Sequence, residues 1–251
     1  MPSNWKSYFC NVNGELASIA LDLSLRDAIP MPDRPWLLWV WVYLKSPRPD
    51  GLSDTSEFPT ICQIEDELTR QIGDLCSGIY AGRITTQGRR ELYFYGASRD
   101  KFKKAVKSAM SGFPAYKYDF NSQHEPDWNQ YLNVLWPSEE SLQRMGNMDV
   151  LGVLAQHGDN PALPRDVTHW IYFATPADRD RFTSIARDLG YAIREYEREH
   201  GDRPHALAIT RNQSIRPAEI DAAVLELFRL AKQHNAEYDG WEAQPTSAPN
   251  S

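Results

Sequence analysis

Cysteine is scarce in this chain: three in 251 residues, at Cys10, Cys62 and Cys76. An odd number without CxxC spacing argues against a disulfide framework and against a zinc ribbon or finger. Cys62 and Cys76 fall on a helical pattern and read as small buried apolar residues, so the expected setting is reducing and cytoplasmic. Long apolar runs are missing as well. The most hydrophobic stretch, "WLLWVWVYL" at 36–44, is far short of the roughly 20 residues needed to span a bilayer. The opening "MPSNWKSYFCNVNGE" lacks a basic region followed by an apolar one, and no signal peptide is expected. GxSxG, P-loop, GxGxxG, HExxH and His-x-His patterns are absent. His157, His169, His200, His205 and His234 are scattered, with no carboxylates at ligand spacing. The expectation is a non-enzyme with no catalytic residue, no cofactor and no metal.

What the chain does have is aromatic side chains and acid. Eight Trp, 12 Tyr and 9 Phe give 12% aromatics and 41% hydrophobic residues, enough for a substantial core. Positive charge is in deficit, at 27 Lys+Arg against 34 Asp+Glu, and the deficit is uneven. Residues 1–137 hold 15 against 16, whereas residues 138–251 hold 12 against 18, a net −6. The acidic second half repels a phosphate backbone and suits a basic protein surface. RNA therefore stays possible for the first half but is disfavoured by charge, and no membrane partner is expected.

Periodicity orders the elements. "WLLWVWVYL" is too short and too β-rich for a helix. Thr60 is placed to cap a helix through about Cys76 with Ile61, Ile64, Leu68, Ile72 and Leu75 on its apolar stripe. Strands at 78–86 and 90–96 follow, then a helix after Ser98 carrying Phe102, Ala105, Val106, Ala109 and Met110, then the strand "AYKYDFN". From 36 to 122 the order is β-α-β-β-α-β. The second half repeats it: "VTHWIYFAT", a helix from Thr175-Pro176, "YAIREYE", "HALAITR", a helix from Pro217, and "EYDGWE". Trp41-Val42-Tyr43-Leu44 echoes Trp170-Ile171-Tyr172-Phe173, and Tyr118-Asp119 echoes Tyr238-Asp239. The predicted fold is α+β: two ferredoxin-like modules with antiparallel sheets, joined by a helical connector.

Two groups of residues are candidates for function. In the first strand Leu38, Val40, Val42 and Leu44 share one face, and Leu37, Trp39, Trp41 and Tyr43 share the other. With Tyr93 and Tyr95, the aromatics Trp39, Trp41 and Tyr43 could form a stacking platform like that of an RNA-binding sheet. The first reading of this face is packing against another sheet or the connector, and a protein-binding groove is the remaining alternative. The closing Tyr238-Asp239-Gly240-Trp241 reads either as a structural clasp, with Gly240 at a bulge, or as an exposed docking patch. His169 alternates with Ile171 and Phe173 and reads as a hydrogen-bonded core histidine. Asp119, Glu125 and Asp127 read as turn and cap carboxylates or as an acid patch.

"HGDNPALPRDVTHWIYF", the helix from Pro217 and "AEYDGWE" together resemble the RraB family, regulators of the endoribonuclease ribonuclease E. "YDGW" is the most specific part, with Arg165 and His169 in the earlier stretch. Residues 1–130, with "WLLWVWVYL", "GRRELYFYG" and "EPDWNQY", are similar to the domain of unknown function 695. The resemblance implies a bacterial cytoplasmic protein that binds a protein partner, a ribonuclease or another basic protein. The chain closes on a short uncharged "QPTSAPNS" where well-known members carry a long acidic tail. The expected organisation is 1–136 for the first domain, 137–158 for the connector, 159–243 for the RraB-like domain and 244–251 for a flexible tail. The expected function is non-catalytic inhibition or modulation of a ribonuclease. Single-stranded RNA binding and toxin-neutralising immunity are the alternatives.

Overall fold

The computed structural model describes residues 2–12, 14–197 and 201–246. His200 and the last residues of the expected tail, 247–251, lie outside them. The chain divides into two compact units, Met1–Pro137 and Ser138–Ser251.

The first unit runs β1 (Trp5–Val12), β2 (Glu15–Asp22), β3 (Trp36–Tyr43), α1 (Phe58–Cys76), β4 (Ile79–Thr86), β5 (Arg89–Gly96), α2 (Phe102–Met110) and β6 (Tyr118–His124). Its six strands lie in the order β1-β2-β4-β5-β3-β6, and every pairing is antiparallel. The inner β3-α1-β4-β5-α2-β6 is the split βαβ arrangement, with the first and last strands as neighbours. The β1–β2 hairpin extends the sheet beyond β4. Strand alternation separates the two faces of β3 as expected. Leu38, Val40, Val42 and Leu44 pack with Ile61, Ile64, Leu68 and Ile72 of α1 and with Phe102, Ala105, Val106 and Ala109 of α2.

Two expected helix starts differ. The first helix begins at Phe58 rather than at a Thr60 cap, because Pro59 suits the first turn, where no N–H partner is needed. Glu57 precedes that helix, and its carboxylate accepts from Lys45 N at 2.8 Å and Ser46 N at 3.0 Å, tying down the loop after β3. Ser98 does not cap α2. Its hydroxyl accepts from Asp100 N at 3.0 Å in a local turn, and the helix starts at Phe102.

The second face of this sheet is covered from within the unit. After β6 the chain forms a π-helical segment, Gln130–Leu135. Trp128, Tyr131 and Leu135 form a second core with Leu37, Tyr93 and Tyr95, joined by Ala17, Ile19 and Leu21 of β2. Trp128 stacks on Tyr95 with ring centroids 3.8 Å apart and planes within 7°.

The second unit runs α3 (Glu139–Gln156), β7 (Arg165–Phe173), α4 (Pro176–Asp188), β8 (Ala192–Glu197), β9 (His205–Gln213), α5 (Pro217–Gln233) and β10 (Ala236–Ala243). The sheet order β10-β7-β9-β8 matches the inner four strands of the first unit position for position. Ser138 and Thr175 cap α3 and α4 by accepting from Ser141 N and Asp178 N, and Pro176 and Pro217 open α4 and α5. The core joins Val167, Ile171 and Phe173 of β7 to Phe182 of α4 and to Ile220, Val224 and Leu227 of α5. The echoed sequences occupy equivalent lattice points: Val42 pairs with Tyr118, and Ile171 with Tyr238.

Candidate functional site

β10 departs from regular pairing after Tyr238. Tyr238 faces Ile171, Gly240 faces Trp170, and Asp239 between them has no opposite residue. Residues three apart on a regular strand point to opposite faces. The extra residue cancels that, so Tyr238 and Trp241 both enter the core, at 7% and 8% exposure. Gly240 adopts φ +114°, a conformation side chains rarely accept.

The buried polar residues beneath are tied to neighbours on other elements. His169, opposite Trp241, meets the Tyr238 hydroxyl at 2.8 Å through Nδ1, and Nε2 has no partner among the described residues. Burial, with the Arg211 charge adding to it, pushes this imidazole down to about 3. With its proton on Nδ1 the neutral ring donates to the Tyr238 hydroxyl and buries no unanswered donor, whereas a second proton, on Nε2, would add one together with a charge. Trp241 Nε1 donates to Asn147 Oδ1 at 2.8 Å, and Asn147 Nδ2 donates to Asp221 Oδ1 at 2.8 Å. Arg144 donates to the other Asp221 oxygen at 2.8 Å. β10, α3 and α5 are therefore joined by one polar chain.

Arg165 is buried and paired with Asp159, a half-buried residue whose side chain is enclosed. It also donates to the carbonyls of Asn160, Leu163 and Gln244. Burial acts to raise the Asp159 carboxyl, but hydrogen bonds from Arg165 and Thr246 hold it below the usual carboxylate range. Thr246 N donates to the same carboxylate at 2.7 Å. The stretch ahead of β7 is thereby fastened to the chain after β10.

Four of the six expected motif residues, Arg165, His169, Tyr238 and Trp241, are thus interior, Gly240 is half-buried, and Asp239 is exposed. In the first unit Trp39, Trp41 and Tyr43 are half-buried, but Tyr93 and Tyr95 are buried, so those two rings offer no free stacking surface. The physical reason is the cover from 128–135. The Tyr95 hydroxyl donates to Glu125, which also accepts from Gln130 N at 2.8 Å. Tyr43 donates to Asp119 at 2.8 Å. Two of the three expected acid-patch carboxylates therefore hold tyrosine hydroxyls. The described histidines do not assemble. His157 Nδ1 meets the Val153 carbonyl and His205 meets Glu197, and among the described residues no group of three His, Cys, Asp or Glu could hold a metal.

The sheet face of the second unit that points away from α4 and α5 carries residues the sequence reading passed over. Trp170 and Tyr172 alternate with His169, Ile171 and Phe173, so they point outward, and Tyr196 of β8 joins them. Trp170 and Tyr196 meet edge to face with centroids 5.5 Å apart, and Arg194 lies 5.6 Å from the Trp170 ring. Burial raises the Tyr172 phenol, as do hydrogen bonds with Tyr196 and Asp239. The signal was available: Trp170 and Tyr172 are the counterparts of Trp41 and Tyr43.

Against known families, the model described as a family of unknown function (DUF695) matches residues 3–136, more than half of the chain. The chain belongs to this family. In this member the second unit also matches, over residues 144–243, the model of regulator of ribonuclease activity B. Both matches agree with the resemblances read from the sequence. No curated protein matches. Two solved structures align with 84% of the chain and 98% of their own length, each at 8% identity. One is an unknown protein from Galdieria sulphuraria, with a TM-score of 0.23, and the other a putative glycine cleavage system transcriptional repressor, with a TM-score of 0.27. At those values neither carries over to this member of the family. No helix among the described residues is long and apolar enough to cross a membrane.

Proposed function

We propose that the protein is a non-catalytic cytoplasmic regulator that binds a ribonuclease of the ribonuclease E type and lowers its activity. The observation that carries this reading is the match of residues 144–243 to the regulator of ribonuclease activity B. Its chemistry is consistent with that role. The second half is net −6, and enzymes that handle RNA present basic surfaces that such a charge attracts. Single-stranded RNA binding by the first unit has less support, because Tyr93 and Tyr95 are buried beneath the segment after β6.

The test is a cleavage assay with a fluorescent RNA substrate and a purified ribonuclease E-type enzyme, titrated with the full chain, beside size-exclusion chromatography of the mixture. Dose-dependent slowing with co-elution is expected. Unchanged cleavage with no complex at a large excess of the chain would remove the reading. RNA turnover by the chain alone, abolished by one His or Asp substitution, would contradict its non-catalytic part.

A further inference from the structure

The outer sheet face of the second unit has a definite composition. Its cross-strand rows read Glu237, Tyr172, Ala206, Tyr196 and, beside them, Gly240, Trp170, Ala208, Arg194. In both rows an alanine sits between larger neighbours, and Ala206 and Ala208 are buried beneath them at 0% and 2% exposure. The rings stand above a low floor and keep part of their surface open to solvent. Gly240 sets no side chain beside Trp170 on the β10 side. The equivalent face in the first unit is filled by Trp128, Tyr131 and Leu135, whereas here Trp170, Tyr172 and Tyr196 remain half-exposed.

Charge decides what such a face accepts. Glu237, Asp239 and Glu242 of β10 and Asp166 of β7 are exposed along it. Asp239 is engaged with Tyr172, Asp166 with Asn212, and Glu237 lies 3.5 Å from Arg203. Arg194 is the one basic residue that these four strands turn to this face among the described residues. A polyphosphate meets repulsion here. A guanidinium is attracted by the acids and by the ring faces, and the Arg194 guanidinium already lies 5.6 Å from the Trp170 ring centroid.

We propose that this face, Trp170, Tyr172 and Tyr196 bordered by Glu237, Asp239 and Glu242, is the docking surface for an arginine-bearing segment of the protein partner. The inference rests on the regulatory reading above and names the surface through which regulation acts. Arginine is specified over lysine because only its planar group gains from stacking as well as from charge.

The test uses the full chain and three labelled probes, followed by fluorescence anisotropy. The probes are a twelve-residue Gly/Ser peptide carrying four arginines, its four-lysine counterpart, and a twelve-nucleotide oligouridylate. The arginine peptide should bind at least about fivefold more tightly than the lysine peptide. Trp170→Ala should remove most of that difference, and Glu242→Lys, an exposed change that leaves the rings in place, should weaken both peptides. Equal binding of the two peptides overturns the proposal. So does binding untouched by both substitutions, or preferential oligouridylate binding that Trp170→Ala abolishes. The same variants enter the ribonuclease assay. A ribonuclease complex that survives both substitutions removes this face and leaves the regulatory reading standing. Arginine-peptide binding without any ribonuclease complex supports the face and removes the ribonuclease.

Discussion

Replacing Trp241 by alanine tests whether the closing strand holds the second unit together. The indole is 8% exposed and packed in the core with Tyr238, Ile171 and Leu227. Truncation of a buried aromatic costs about 3–5 kcal/mol. The lost Nε1 bond leaves the Asn147 oxygen, on a residue only 2% exposed, without its donor. An unsatisfied buried acceptor adds about 1–3 kcal/mol, less if water enters the space left by the ring. The expected loss is therefore at the upper end of the single-mutant range. Trp241→Phe keeps most of the packing and removes only the bond, so it should cost about 1–3 kcal/mol. Urea unfolding of the full chain by circular dichroism gives the magnitudes. Hydrogen exchange should localise the loss to β7, α5 and β10 and leave β3 to β6 unchanged. A Trp241→Ala variant within about 0.5 kcal/mol of wild type, the range of ordinary surface changes, would refute the clasp. A Trp241→Phe variant as damaged as Trp241→Ala would show that the hydrogen bond, not the packing, carries the effect.

His169 makes stability depend on pH. Its folded value near 3 lies below the unfolded 6.5, so acid protonates the unfolded chain first. The contribution is fully present above about pH 6.5 and declines as pH falls toward 3, by about 2 kcal/mol at pH 5. His169→Gln should flatten that part of the curve, and melting temperatures of both proteins between pH 5 and 8 check it; parallel curves would contradict the burial argument. Gly240→Val should destabilise by about 1–3 kcal/mol through backbone conformation alone, since a Cβ there meets nothing within 4 Å. Urea melts test this, and a neutral variant would mean that the positive φ is not required.

Where burial follows a simple period, the sequence was legible. The alternation of β3 and the stripe of α1 appeared as read, and the order of strands followed from β-α-β-β-α-β. Helix starts were less legible, since Thr60 and Ser98 have cap chemistry but lie beside Pro59 and a local turn that use the same backbone differently. The cover over Tyr95 was hidden for another reason. Tyr131 and Leu135 lie on a π-helical turn, whose spacing matches neither a helix nor a strand period, and Trp128 sits just ahead of it at a positive φ. On the site, the inward set at His169 and Trp241 could be inferred from alternation and the glycine. The outward set at Trp170, Tyr172 and Tyr196 follows from the same alternation, but which sheet face remains open depends on segments distant in the chain.

The irregularity at Asp239 has a consequence for any comparison of the two halves. In β6, Tyr118 and Phe120 reach their core two positions apart, in ordinary strand order. In β10 the same two stations are filled by Tyr238 and Trp241, three positions apart. Matched letter by letter, the halves fall out of step at the glycine, and Phe120 is set against Gly240. Restored by a one-letter gap, Trp241 becomes the counterpart of Phe120. The "YDGW" signature is then the "YDF" of the first half with one residue inserted and a larger ring at the end.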